Sequence, residues 1–209
     1  VSIYMDLQLS TRRLSAEVHD LAEEESAMDG PIRFLIIIAV EDSDGISTNG
    51  VWIQQIAPPY YLFKEVPAEV ALATPSGGFQ ALLGQTRHGP SNREPFVQRF
   101  LSDREARDDL ADTLSLEQIV ADDFDAAFCI GFSGSVWGTH SRGPGPLIKT
   151  FLEDGKPVAI IPGQQLDIAP EAAGPGLLII GDSYQSPVLA AHALVKVATE
   201  RREHMARSA

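Results

Sequence analysis

The chain reads as an α/β protein whose mostly parallel sheet is doubly wound, with helices on both faces. Three observations point there. Short apolar runs rich in branched residues recur along the sequence, each long enough for a strand but short for a helix. Segments with helical spacing alternate with them. Gly- and Pro-bearing turns close each run. The runs are apolar throughout and do not alternate with polar residues, which is the pattern of strands buried on both faces.

Taken in order, residues 1–30 form an amino-terminal extension, helical or partly disordered, and residues 31–209 form the α/β domain. In the extension Leu9, Leu14, Val18 and Leu21 lie near helical spacing, before the acidic run Glu23-Glu24-Glu25 and the break Met28-Asp29-Gly30-Pro31. Phe34 to Val40 is the first strand. Trp52 to Lys64 places Ile53, Ile56, Tyr60 and Phe63 at helical intervals, and Pro58 and Pro59 predict a bent or broken helix. Glu69 to Ala73 is a second strand, closed by Pro75-Ser76-Gly77-Gly78. From Pro95 to Asp112 the chain is polar and helical, Pro95 being suited to a first turn. Asp125 to Ile130 is a third strand ending at Gly131, and Pro146 to Glu153 a helix stopped by Gly155. Val158 to Ile161 is a fourth strand that enters a turn at Pro162-Gly163. Leu177 to Ile180 is a fifth, ended by Gly181. Pro187 to Met205 closes the chain as a helix with Leu189, Ala190, Leu194 and Val197 facing inward.

Composition narrows the function. The 209 residues carry a net charge of −13, so neither nucleic-acid phosphates nor an anionic membrane surface is an expected partner. One cysteine, Cys129, excludes an internal disulfide and a multi-cysteine zinc site. No apolar run approaches the roughly 20 residues that span a bilayer. Val1 to Met5 lacks the layout of a signal peptide, and a cytoplasmic setting is expected. No cofactor or metal motif is present: none of the five histidines has the close spacing of a metal pair.

Several segments, in this order, resemble the ThiJ/PfpI superfamily, most nearly its chaperone/glyoxalase III branch. They are Gly50-Val51-Trp52, Pro59 to Lys64, Ala68 to Gly78, Asp123 to Phe128, Gly155 to Ala159 and Gly181 to Ser186. The resemblance covers roughly residues 32–200 and implies a class I glutamine amidotransferase-like, flavodoxin-like sandwich. It also implies a cysteine on a sharp strand-to-helix turn, assisted by a glutamate, and commonly a homodimer. The matching positions here depart from that pattern. The cysteine position falls on Pro162 and the following histidine on Gly163; the glutamate falls on Gln54, beside Gln55. The family's Pro-Gly-Gly-His-Gly turn becomes Ile130-Gly131-Phe132-Ser133-Gly134, and the segment from Pro162 to Gly181 is shorter than in the chaperone branch.

Proline has no nucleophile, and glutamine does not exchange a proton near neutral pH. The thiolate chemistry of the family needs both lost groups. Cys129, inside an apolar strand, reads as a buried inert thiol. Ser133 lacks the last glycine of a Gly-x-Ser-x-Gly elbow and reads as a turn serine. His140 either lines the pocket, where it is a candidate base, or sits on a surface loop. His88 is a weaker case of the same kind, and His19, His192 and His204 read as helix-surface residues.

Two readings remain open. In the first, the protein binds a small, partly aromatic ligand or regulates a partner. Gln54, Gln55, Gln164 and Gln165 then orient a carbonyl or hydroxyl beside Pro162 and Gly163, and Trp52, Tyr60, Tyr61, Phe132 and Trp137 supply flat walls. The glutamines equally suit a pocket that has merely filled in. In the second, it is an enzyme with cofactor-free, non-family chemistry, such as a tailoring step on a small metabolite, using His140 or Ser133. A homodimer is expected in either case, with Leu14, Val18 and Leu21 of the extension as contributors.

Overall fold

The computed structural model describes residues 30–39, 53–78, 94–136, 143–167, 175–181 and 186–208. Contacts group residues Ile32–Arg201 as one unit, and Val1–Pro31 with Arg202–Ala209 as another. Within the second, residues 202–208 are the last turns of a helix, exposed from Glu203 on, where Arg207 pairs with Glu203 at 2.8 Å.

In the larger unit the order is β1 (Ile32–Ile38), α1 (Ile53–Lys64), β2 (Ala68–Thr74), α2 (Pro95–Ser102), α3 (Arg104–Ala111) and β3 (Leu114–Ser115). Two short 3-10 turns, Leu116–Gln118 and Ala121–Asp123, lead to β4 (Ala126–Ser135). Then come α4 (Gly145–Glu153), β5 (Val158–Asp167), β6 (Leu178–Ile180) and α5 (Ser186–Ser208). The sheet has six strands in the order β3-β2-β1-β4-β5-β6, and every pair is parallel. The expected doubly wound fold is therefore present.

Burial follows the apolar runs. Phe34 to Ile38 of β1 and Ala126 to Ile130 of β4 are fully buried, with alternate residues serving opposite faces. Phe34, Ile36 and Phe128 meet α1, α2, α3 and α5 on one face; Leu35, Ile37 and Cys129 meet α4 and the 3-10 turns on the other. Phe34 and Phe63 stack at 4.3 Å, and Phe63 meets Phe128 edge-on at 5.7 Å, so α1 is seated across the central strands.

The expected break in α1 is absent: the helix is continuous from Ile53 to Lys64 with both prolines inside. Each proline removes a hydrogen bond to the carbonyl four residues earlier, at Gln54 and Gln55, at a cost of about 3 kcal/mol. Against this, Ile53, Ile56, Tyr60, Tyr61, Leu62 and Phe63 are buried, each contributing roughly 1.5–3 kcal/mol. Burial outweighs the loss. Tyr60 and Tyr61, expected as pocket walls, are instead part of this core, beneath α2 and α3. Their rings meet Phe100 at 5.4 and 6.2 Å. The Tyr60 hydroxyl donates to Asp109 at 2.6 Å and accepts from Lys64 at 2.6 Å, while Tyr61 donates to Asp103 at 2.9 Å. Burial, with these carboxylates second, holds both phenols well above the usual tyrosine range.

The helix expected from Pro95 to Asp112 is split at Asp103. Its Oδ1 accepts from the Glu105 and Ala106 amides at 3.0 and 3.4 Å, making Asp103 the N-cap of α3. Gly155 does end α4. At φ +69° it donates to the Leu152 carbonyl and Lys156 to that of Phe151, closing a Schellman motif. In α5 the buried stripe is Pro187, Ala190, Ala191, Leu194 and Ala198; Val197 is half-buried. Leu189, expected inward, is 62% exposed, because two residues beyond Pro187 the helix has turned about 200°.

Asp103→Ala should cost about 1 kcal/mol in urea unfolding at pH 7, the usual value of an N-cap. The Tyr61 hydroxyl, aided by the two amides, holds the Asp103 carboxyl below its ordinary pKa. Its folded pKa being depressed, its contribution is complete above the unfolded carboxylate value near 3.9 and fades as pH falls through the folded value. The difference between wild type and variant should therefore be flat from pH 7 to 5 and shrink below about 4.

Candidate functional site

In a sheet of this kind ligands collect beyond the carboxyl ends of the strands. At the amino edge, helix-to-strand links span only residues 65–67, 112–113 and 154–157. At the carboxyl edge, residues 40–52, 79–93 and 137–142, each between a strand and the next described helix, lie outside the described residues.

Gln54 and Gln55 lie in the first turn of α1, both half-buried. Because Pro58 and Pro59 lack N–H groups, the backbone carbonyls of these two glutamines lose their usual partner four residues on. Two side-chain amides and two carbonyls without an i+4 donor thus share one helical turn at the carboxyl edge. Trp52, Trp137 and His140 lie outside the described residues, as do His88 and His19. His192 and His204 are exposed on α5, as expected.

The strands bearing the other candidates differ from expectation. β4 does not end at Gly131 but continues to Ser135, and β5 does not turn at Pro162 but continues to Asp167. The two stay paired: Phe132 opposes Pro162, Gly134 opposes Leu166 and Ser135 opposes Asp167. Two register shifts make this extension irregular. One surrounds Gly131, whose φ of +78° absorbs an extra residue in β4; the other falls between Phe132 and Gly134, where β5 carries the surplus. Ser133 is therefore in a strand, not a turn. Pro162 and Gly163 occupy a paired ribbon, half-buried and exposed respectively, where the resemblance implies a sharp elbow. Gln164 and Gln165 belong to the same ribbon by their backbone. Phe132 is buried in the second-face cluster.

Cys129 is fully buried in mid-strand, and burial pushes its thiol far up from the usual value. Among the described residues no cluster of three His, Cys, Asp or Glu groups is arranged to hold a metal. Nor is any described helix long and apolar enough to cross a membrane.

One feature was not legible in the sequence. A groove of about 220 Å³ lies on the second face, over the amino half of β1 and β2. Arg33, Glu69, Ala71, Leu114, Asp123 and Phe124 are among its lining residues. Its origin is topological: the link from β3 back to β4 must cross β2 and β1, and it does so as 3-10 turns rather than a helix. Arg33 rests 5.5 Å over Phe124 and pairs with Glu69 at 3.3 Å, an exposed pair of small energetic value. None of the site residues chosen from sequence lines it.

No family model matches the sequence, and no curated protein matches it. Solved structures do. The Rapid Encystment Protein REP24 of Francisella tularensis, a ThiJ/PfpI-family protein, superposes with TM-score 0.54 at 12% identity. That likeness covers 80% of this chain and 99% of the other. The structure of APC35852 superposes with TM-score 0.50 at 19% identity, covering 81% and 100%. Glyoxalase III of Candida albicans, at TM-score 0.44, 14% identity and coverage of 79% and 96%, is too loose a likeness to carry weight. What the chain shares at such identities is the fold, and that fold agrees with the ThiJ/PfpI resemblance of its motifs.

Cys129 should react with a thiol reagent only when the sheet opens. Labelling in native buffer should be slower than in 6 M guanidinium by at least about a thousandfold, since access needs unfolding of a core strand. Rapid native labelling, followed by absorbance, would contradict the placement of Cys129 in mid-sheet.

Proposed function

We propose that the protein is a ThiJ/PfpI-fold binding protein without cysteine catalysis, taking a small, partly aromatic ligand at the carboxyl edge of its sheet. The observation that carries this reading is the course of β5. Where a thiol nucleophile would need a strained elbow, Pro162 sits in a strand paired with Phe132 of β4. The only thiol of the chain is sealed in the core. Gln54 and Gln55 in the first turn of α1, together with the exposed backbone at Gly163, supply donors and acceptors that do not titrate. Trp52, Trp137 and His140, chosen from sequence, supply the remaining contacts. The protein carries out this role within a cell's cytoplasm.

Methylglyoxal should persist when mixed with the protein, and Cys129→Ser should behave as wild type. Turnover that disappears in Cys129→Ser would refute the reading. Pro162→Cys alone should not create a glyoxalase, because Gln54 takes no proton. A thermal-shift screen of aromatic metabolites should find ligands. Gln54→Ala should weaken them by roughly a few-fold to tenfold, matching about 0.5–1.5 kcal/mol for a hydrogen bond. A loss of turnover of a hundredfold or more in His140→Ala, on any substrate, would instead favour catalysis.

A further inference from the structure

We infer that the β6 edge of the sheet is a self-complementary interface, joining two copies of this chain through antiparallel pairing of β6 with β6 about a two-fold axis. Among the described residues β6 pairs with β5 alone. On that side the Leu177 carbonyl accepts from Val158 at 2.8 Å and the Gly181 amide donates to Ile160 at 3.0 Å. Bonding alternates along a parallel ladder, so residues 177, 179 and 181 face β5. Leu178 and Ile180 consequently turn their N–H and C=O groups to the outer side.

The strip is also apolar and uncharged. Residues 174–181 read Gly-Pro-Gly-Leu-Leu-Ile-Ile-Gly in a chain of net charge −13, so two acidic molecules meet least repulsion there. Leu177 and Ile180 are each 47% exposed. Edge strands in natural proteins commonly carry a charge or a proline that discourages pairing, and β6 carries neither. Its shortness limits it to a single partner of like kind.

The register follows from the outward groups. Setting Leu178 against Ile180 of the second copy, and Ile180 against its Leu178, engages both outward residues of each chain and puts the axis beside Ile179. Side chains on one face stay on that face, so the exposed Ile180 gains an apolar neighbour in Leu178 of the other copy. One edge pairing once gives a closed dimer and not a fibre. This inference does not depend on what binds at the carboxyl edge.

The test is sedimentation equilibrium of the full chain. Wild type should be dimeric at tens of micromolar. Ile180→Lys adds a like charge to each strand, and Ile180→Pro removes only an outward N–H and leaves the ladder to β5 intact. Each should raise the dissociation constant at least about tenfold with circular dichroism unchanged. Leu114→Lys, on the opposite edge, should leave it unchanged. Ile179→Cys should oxidise to a covalent dimer, since facing non-bonded pairs place Cα atoms about 4.5 Å apart, within disulfide reach. A monomer at about 100 μM, assemblies larger than two, dimers indifferent to Ile180, or a dimeric Ile179→Cys protein that does not cross-link would each overturn the inference. Should the Ile180 variants fail to fold, the cross-link decides.

Discussion

Burial of β1 and β4 on both faces is the constraint from which the rest of the architecture follows. Two adjacent parallel strands with no polar face demand cover above and below. That demand recruits α1, α2, α3 and α5 to one side and α4 with the 3-10 turns to the other. It leaves the sheet no exposed face at its centre on which to present chemistry. Function is thereby pushed to the ends of the strands. There, backbone groups leave the ladder and loops of any length are tolerated. The packing of Phe34, Phe63 and Phe128 fixes α1 against the strands. Through α1, that packing also fixes the position of Gln54 and Gln55.

The strands of the centre were legible because their signal is local. Phe34 to Ile38 and Val158 to Ile161 are apolar without interruption, and no other element type suits so short a run. Asp103 was not legible as a helix boundary, because a polar residue in a polar stretch looks the same in mid-helix as at a cap. Its bonds from the Glu105 and Ala106 amides and from the Tyr61 hydroxyl distinguish it only once the chain is folded. The prolines of α1 misled in the opposite direction: their local cost is real, and the many buried side chains of the same helix exceed it. Tyr60 and Tyr61 were read as aromatic walls because residue type does not tell which side of a helix faces a neighbour. The ends of β4 and β5 were missed for a further reason. Gly131 and Gly163 look like stops, yet in a bulged ribbon a glycine permits a strand to go on.

That ribbon alters what the carboxyl edge can do. A nucleophile elbow needs one strand to stop and reverse sharply, with its helix holding the reactive atom over the sheet. A strand that remains paired instead spends its backbone groups on its neighbour, and its side chains alternate between two sides. Such an edge is shaped more for contact than for attack. Losing the nucleophile at Pro162 and continuing β5 are in this sense one change seen at two levels, residue and backbone.

The thin link from β3 to β4 has a consequence for how this architecture changes over time. From β1 to β2, from β2 to β3 and from β4 to β5 the crossover carries a helix packed on the sheet, and added length there would collide with a packed layer. Between Ser115 and Phe124 the chain crosses two strands with only two short turns and leaves a groove beneath it. Extra residues inserted there would meet open space. A gained helical turn or two would roof the groove and leave strand order, register and the opposite layer untouched. The second face over β1 and β2 is thus where this fold has room to accept growth.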